Sequence, residues 1–573
     1  MKKQITTKLP VIALLLTSVV IAACSMTSPN NTNSTEHTYK MASQIFKNGK
    51  IYTVNKQQAW ANAVAIRDNK IIFVGSNAEV EKYVNSNTKV TDLGGRMMMP
   101  GFHDVHIHPI ESASENTLFS LDTDEVDVEN YSSDIEQAAI DNPDALWLIG
   151  YGPTISTLLD SERAPKDIID EVVSDRPVII MEQTSHSMWV NSKALEMAGI
   201  TINSEDPIGG VIVRDEMGEP TGILIDNAGN IVMDIAMTPT VQSMENDYLG
   251  LVEYTLPELA KHGITSISDA RSFWQRDDHL TWQEVEKNDE LTARVAVGLW
   301  AYPNMNDEEQ FAQLQALYQN SQNSFLKFNQ IKLYSDGILV NGTAAMLAPY
   351  RVDLLGLPGN KGLNYFDEKR LTKYIKRLES TGFDFHIHAI GDRGIHEALN
   401  AVEQGGSKQG RHRITHIEVV EPSDLPRFAQ LNVTADAQVA GEFASPDHWH
   451  ENDKLIGAVR SDNAIPIKSL HKAGARVTLS SDWNVSPFNP FIGLQNAITR
   501  APQELTLAQA IKAYTLNSAY VMRQEDSVGS IEVGKLADLV VLDRNLFEID
   551  ENTINQTKVF MTIFDGETIF QQK

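Results

Sequence analysis

The stretch MMMPGFHDVHIHP, residues 97–109, decides how the rest of the chain is read. His106 and His108 stand two residues apart, with the β-branched apolar Val105 and Ile107 beside them. Side chains on a strand alternate faces, so positions i and i+2 project to the same side. Two imidazoles placed in this way can hold one metal ion with little further ordering. Pro100-Gly101 marks a turn into the strand, and Pro109 helps to end it. Alone, His-x-His fits two histidines on a polar strand face equally well. The remaining sequence separates the two readings, because it supplies further ligand types at the ends of later strand candidates.

Working outward, seven more strand candidates follow: residues 264–268, 295–299, 331–334, 385–388, 413–416, 433–436 and 477–480. They alternate with helical stretches, which favours a parallel sheet. With the first strand they make eight, the number that closes a (β/α)8 TIM-type barrel of the α/β class. Residues 110–250 are too long for a single βα connection and read as an insertion covering the barrel mouth. Residues 44–98 carry hairpin grammar, with short alternating runs punctuated by Asn48-Gly49 and Asp68-Asn69. The same grammar returns over 521–573, so both chain ends are expected to build one small β-sandwich. The barrel then spans 99–500, and 501–520 supplies its final helix.

Four chemically distinctive residues fall at or near the ends of later strands, where a barrel of this kind carries its reactive groups. Lys332 sits in an otherwise apolar run and is followed by Ser335-Asp336. A buried ammonium must be paired, neutralised or modified. Carbamylation by CO2 would turn it into an anionic ligand able to bridge two metals; snorkelling, or a salt bridge to Asp336, would keep it structural. His388 closes a second His-x-His, His386-Ile387-His388, and is the member nearer the strand end. His416 closes 413–416. Asp482 follows the eighth strand, where a carboxylate can hold a metal and take a proton from water. The remaining histidines read more plainly. His448 and His450 lie in a polar loop, surface or substrate-facing; His103 lines the site at most; His186 precedes a helix start at Asn191-Ser192.

At 573 residues the chain exceeds one small core, and 42% hydrophobic with 22% charged residues is ordinary for a soluble globular protein. A formal charge of −28 argues against nucleic acid and against electrostatic docking on anionic lipid. Lys2, Lys3 and Lys8 precede an apolar run from Pro10 to Ala23, the pattern of a secretory signal over 1–23. Cys24 is the single cysteine, which excludes an intramolecular disulfide and a cysteine-based metal site. Ile21-Ala22-Ala23-Cys24 resembles a bacterial lipobox, which implies a lipidated Cys24 followed by a flexible tether over 24–43. The residues after Cys24 lack Asp, which by resemblance to enterobacterial sorting implies the outer membrane, facing the periplasm.

The segments PGFHDVHIHP, NSKAL, PIGGVIVRDEMGEPTGIL, IKLYSDG, HIHAIGDRG, RHRITHIE, SSDWNVSP, AYTLNSA and GSIEVGKLADLVVLD occur in order. Together they resemble the amidohydrolase superfamily, and within it amidohydrolase family 3, the YtcJ-like metal-dependent hydrolases. The resemblance runs from about Ile45 to Ile563. It implies that His106, His108, Lys332, His388, His416 and Asp482 are the metal positions. Two departures stand out: Thr415, where the family usually has Glu, and His103, where an apolar residue is usual. Neither removes a ligand.

The expected cofactor is one or two divalent ions, Zn2+ in the first place, with Mn, Fe, Co or Ni as alternatives. The expected reaction is hydrolysis of a non-peptide C–N bond in a small amide, formamide, carbamate or cyclic amide by metal-activated hydroxide. Asp482 accepts the water proton and returns it to the leaving nitrogen, with His388 and His416 near the oxyanion. His186, Trp189, Ser335 and Asp336 are candidate substrate contacts. The alternatives are a metal-dependent esterase or lactonase, and a non-catalytic ligand-binding surface lipoprotein.

Overall fold

A parallel sheet of eight strands forms the centre of the molecule. In order they are β1 (Phe102–Ile107), β2 (Ile264–Ser272), β3 (Arg294–Trp300), β4 (Leu326–Tyr334), β5 (Asp384–Ala389), β6 (Arg413–His416), β7 (Thr434–Gln438) and β8 (Arg476–Ser480). All eight sequence candidates are thus strands. Neighbours pair in sequence order from β1 to β8. The barrel closes just past the ends of β1 and β8. There the Asp482 amide donates to His106 O at 2.8 Å and the His108 amide to Trp483 O at 2.7 Å. This computed structural model describes residues 40–114, 118–441, 444, 449–450 and 452–573. The leader, Cys24 and most of the tether lie outside the described residues, as does His448.

Two further sheets carry strands from the chain ends. One has the order 70–75, 63–67, 44–47, 89–92; the other has 567–571, 559–564, 539–542, 97–100, 50–52, 60–61. Met97–Pro100 shows how alternation joins this domain to the barrel. Met98 packs with Phe46, Ile51 and Val541 between the end sheets, while Met97 and Met99 face the barrel core. The end domain therefore extends to Pro100, two residues beyond the expected limit. Arg294 at the start of β3 adds a polar tie, bonding Asp538 at 2.7 Å and Asp565 at 2.8 Å.

The expected insertion contains a mixed sheet of its own, in the order 210–214, 220–226, 187–190, 178–181, 148–151, 119–120. Both faces of this sheet are covered. Trp189 is buried on one with Ile168 and Ile180, and Met188 and Val190 pack on the other with Leu224 and Val232. A sheet buried on both sides reads as continuous apolar runs rather than as alternation, which is why the extent of the insertion was legible and its strands were not.

A candidate metal centre at the barrel mouth

His106 and Asp104 point into the barrel from β1, while Val105 packs outward against Ala296, Val521 and Met522. His106 Nε2 and His108 Nε2 each lie 3.0 Å from Asp482 Oδ1. His416 Nδ1 is 3.9 Å from Asp482 Oδ2. The His388 and His416 ring centroids are 4.4 Å apart, and Lys332 Nζ is 3.5 Å from His106 Nε2. All six residues singled out as metal ligands are buried and meet at this end of the barrel.

Two strand ends are bent to make this possible. His416 and Asp482 adopt left-handed φ values of 72° and 63°. Non-glycine residues in that region cost about 1–3 kcal/mol each unless the surroundings over-determine them. Here the His416 amide donates to Gln438 Oε1 at 3.0 Å, and the Asp482 amide is fixed by its bond to His106.

The residues fit a divalent ion. His106, His108 and Asp482 present donor atoms within 4.8 Å of one another. Gly337 O accepts from His388 Nε2 at 3.2 Å, which leaves His388 Nδ1 as a lone pair, and that atom is buried with no hydrogen-bond partner among the described residues. Burial holds the His106 and His388 imidazoles well below their ordinary pKa, and His416 down to about 3. They are therefore neutral, as metal ligands must be. Burial acts to raise Asp482, but the adjacent His106 and the hydrogen bonds to His106 and His108 override it and hold the carboxyl well below its usual range. Burial also pushes Lys332 well below the usual ammonium value.

A second grouping, His106, His386 and Asp436, lies deeper and has its donors engaged. Asp436 accepts from Thr415, Thr478, Ser480 and Gln438, and Arg413 donates to His386 Nδ1 at 2.6 Å. His386 Nε2 lies 2.8 Å from His106 Nδ1, and Thr415 Oγ1 lies 2.9 Å from the same nitrogen. These contacts turn His106 Nε2 toward the site. His386 is a support for the ligands, and Thr415, the departure from the family pattern, is another.

Of the four candidate substrate contacts, only His186 lines the cavity over the centre, whose volume is about 140 Å³. Trp189 is corrected to a core residue of the insertion, because its place on the strand turns it to the interior of that sheet. Ser335 donates to Gly394 O at 3.1 Å, and Asp336 accepts from the Ile390, Gly391 and Ala345 amides. Both are buried braces of the strand-end loops, so a substrate role for them is corrected too. Asp336 makes no salt bridge to Lys332 among the described residues.

Sequence reasoning missed several residues that line the cavity, among them Arg271, Tyr334 and Glu418, while Trp449 lies in the loop read as surface or substrate-facing. Arg271 is bonded twice to Glu111, at 2.9 and 2.7 Å, and to the Tyr334 hydroxyl at 2.9 Å. Glu418 carries a carboxyl raised to about 8 by burial and by the charges of Asp336 and Asp482. The signal for Glu418 was the one that found Lys332, a charged group among apolar neighbours, Ile417 and Val419. His103 does not line the cavity; it is buried, with Nδ1 3.2 Å from Gly101 O. His450 is exposed, 3.8 Å from Asp453.

A closed (β/α)8 barrel with neutral imidazoles, a carboxylate and a buried lysine at its C-terminal mouth has the layout of a metal-dependent hydrolase. The chain belongs to the Amidohydrolase family, whose sequence profile matches residues 89–570. It is 29% identical over 554 residues to YtcJ of Bacillus subtilis, covering 92% of this chain and 99% of that protein. It is 24% identical over 550 residues to an N-substituted formamide deformylase of Arthrobacter pascens, covering 92% and 98%. Among solved structures, an uncharacterized metal-dependent hydrolase from Pyrococcus horikoshii superposes with a TM-score of 0.70 at 24% identity, covering 89% and 99%. That likeness concerns the fold.

Proposed function

We propose that this hydrolase cleaves a non-peptide C–N bond in a small amide, formamide, carbamate or cyclic amide. The observation that carries the reading is the convergence of His106 Nε2 and His108 Nε2 on Asp482 Oδ1, 3.0 Å from each. Imidazole and carboxylate donors suit Zn2+. When bound, a divalent cation supplies Lewis-acid polarisation of a carbonyl and acidifies water. Asp482, held ionised, takes the proton of the attacking water and delivers it to the departing nitrogen. His106, His108, His388 and His416 would hold the ion, and Lys332 would join them once carbamylated. Ile338, Leu339, Val340 and Val485 form an apolar wall, which suits a substrate carrying an apolar substituent. Arg271 is held in the cavity wall by three hydrogen bonds, two to Glu111 and one to the Tyr334 hydroxyl. The name of the Arthrobacter pascens relative supports the C–N reading.

The test is metal-dependent release of nitroaniline from para-nitroformanilide and para-nitroacetanilide by the zinc-loaded, tether-truncated protein. Activity lost on chelation and restored by zinc is expected. Turnover of para-nitrophenyl acetate with neither anilide cleaved would move the protein to the esterases.

The lipid anchor at Cys24 is part of the same proposal. It is supported by the basic start, the short apolar run and the placing of the only cysteine. The envelope location, with the enzyme facing the periplasm, follows from it. Cys24→Ser should release the protein from the membrane fraction, and unchanged fractionation would refute the anchor.

A further inference from the structure

His186 belongs to the insertion, not to the barrel, yet it lines the cavity over the metal centre. It precedes the strand Ser187–Val190, and Asp226 ends the antiparallel neighbour Pro220–Asp226. Two hydrogen bonds lock the pair. His186 Nδ1 lies 2.7 Å from Asp226 Oδ1, and the Asp226 amide donates to His186 O at 2.6 Å. The turn before His186 is fixed as well, since Glu182 accepts from the His186 and Thr184 amides at 2.9 Å each. The ring stacks on Tyr334 at an interplanar angle of 17°, and its centroid is 5.4 Å from that of His388.

Asp226 Oδ1 accepts the Nδ1–H, and the tautomer set by that bond presents Nε2 as the lone pair of the ring. Among the described residues nothing hydrogen-bonds to that Nε2. Asp482, a second acceptor at the cavity, already faces His106 and His108. The cavity thus presents an acceptor with no hydrogen-bond partner among the described residues, on a ring whose centroid is 5.4 Å from that of the ligand candidate His388, beside the apolar Ile338, Leu339, Val340 and Val485.

We propose that His186 Nε2 accepts the hydrogen bond of the scissile amide N–H, so that the enzyme selects amides bearing an N–H over N,N-disubstituted ones. This rests on the C–N hydrolase reading above. Asp226 acts as a positioning residue, setting the tautomer and direction of the ring. A site built to hydrogen-bond one group rejects analogues lacking it far more strongly than an apolar pocket rejects a missing methylene.

The experiment measures calorimetric binding of valerolactam and N-methylvalerolactam to the zinc-loaded protein. Both rings hold the amide in one geometry and resist hydrolysis, so methylation changes only the N–H and the bulk at nitrogen. The wild type should bind valerolactam about ten-fold or more tightly. His186→Phe should bring the two affinities together. Asp226→Asn should do the same by donating its amide N–H to Nδ1 and so moving the ring proton to Nε2, as carboxylate-to-amide changes do in Asp–His pairs. Zinc content and Tm should stay at wild-type values in both variants. Equal affinities in the wild type, no binding of either lactam, or discrimination surviving in both variants would overturn the proposal. Lactam discrimination without anilide cleavage would instead overturn the hydrolytic reading alone.

Discussion

Lys332 Nζ and His106 Nε2 lie 3.5 Å apart, and that same nitrogen of His106 is 3.0 Å from Asp482 Oδ1. A charged ammonium in this place would face imidazoles and the Arg271 and Arg413 charges; burial instead drives Lys332 toward the neutral amine. A neutral amine is the form that adds to CO2, giving a carbamate and a proton. The wild type prepared with zinc and bicarbonate should therefore hold about two metals per chain, as in other two-metal hydrolytic sites. Lys332→Ala should fall to about one on the same scale. Elemental analysis reads the difference, and one metal in both proteins would return Lys332 to a structural role.

Asp482 is the proton carrier in the proposed reaction, and its geometry allows it to be separated from the ligands. Asp482→Asn keeps the shape and one oxygen toward His106 and His108 but removes the base. Turnover of para-nitroformanilide should fall by about 10²–10⁴-fold, the usual range for losing a positioned acid–base group. Zinc content must be measured beside kcat. Near-normal turnover with zinc retained would remove Asp482 from the mechanism.

Much of this centre was legible in the sequence because barrel strands are short and apolar, and a polar residue inside one is conspicuous. Lys332 within IKLY and His388 at the end of FHIH stand out for that reason. Arg271 escaped because β2 runs on to Ser272, beyond the apolar run that ends near Ser268. Trp189 was misplaced because alternation on a strand buried on both faces cannot say which face meets the site. Ser335 and Asp336 adjoin the lysine in sequence, but the chain turns there, and their polar atoms satisfy backbone groups of other loops. The His186–Asp226 pair joins residues 40 positions apart across an antiparallel ladder that no local pattern announced.

Thr415 holds His106 from behind. Its hydroxyl lies 2.9 Å from His106 Nδ1 and donates to Asp436 Oδ2 at 2.9 Å. Thr415→Val keeps the volume and deletes both contacts. Loss of such a support to a ligand typically weakens metal affinity by about 10–100-fold. Competition with a chromogenic zinc chelator should show this shift with the fold intact by circular dichroism. Unchanged affinity would mean that His386, 2.8 Å from the same nitrogen, suffices alone.

His103 should make the fold sensitive to acid. It is buried near the start of the barrel's first strand, and burial, aided by the charges of Arg294 and Lys535, lowers its pKa to about 3 from the usual 6.5. The unfolded chain binds a proton at His103 below about pH 6.5 while the folded protein does not, so the unfolded state gains as pH falls from 6.5 toward 3. The stability contribution is thus complete above 6.5 and is lost on acidification, at about 1.4 kcal/mol per pH unit for one proton. His103→Leu places an apolar side chain in the same interior and removes this linkage. Its Tm should fall less than that of the wild type between about pH 7 and pH 5, where the wild type binds roughly one more proton on unfolding. Parallel Tm curves for the two proteins across that window would show that His103 is already protonated in the folded state, or that the barrel opens locally enough to hydrate it.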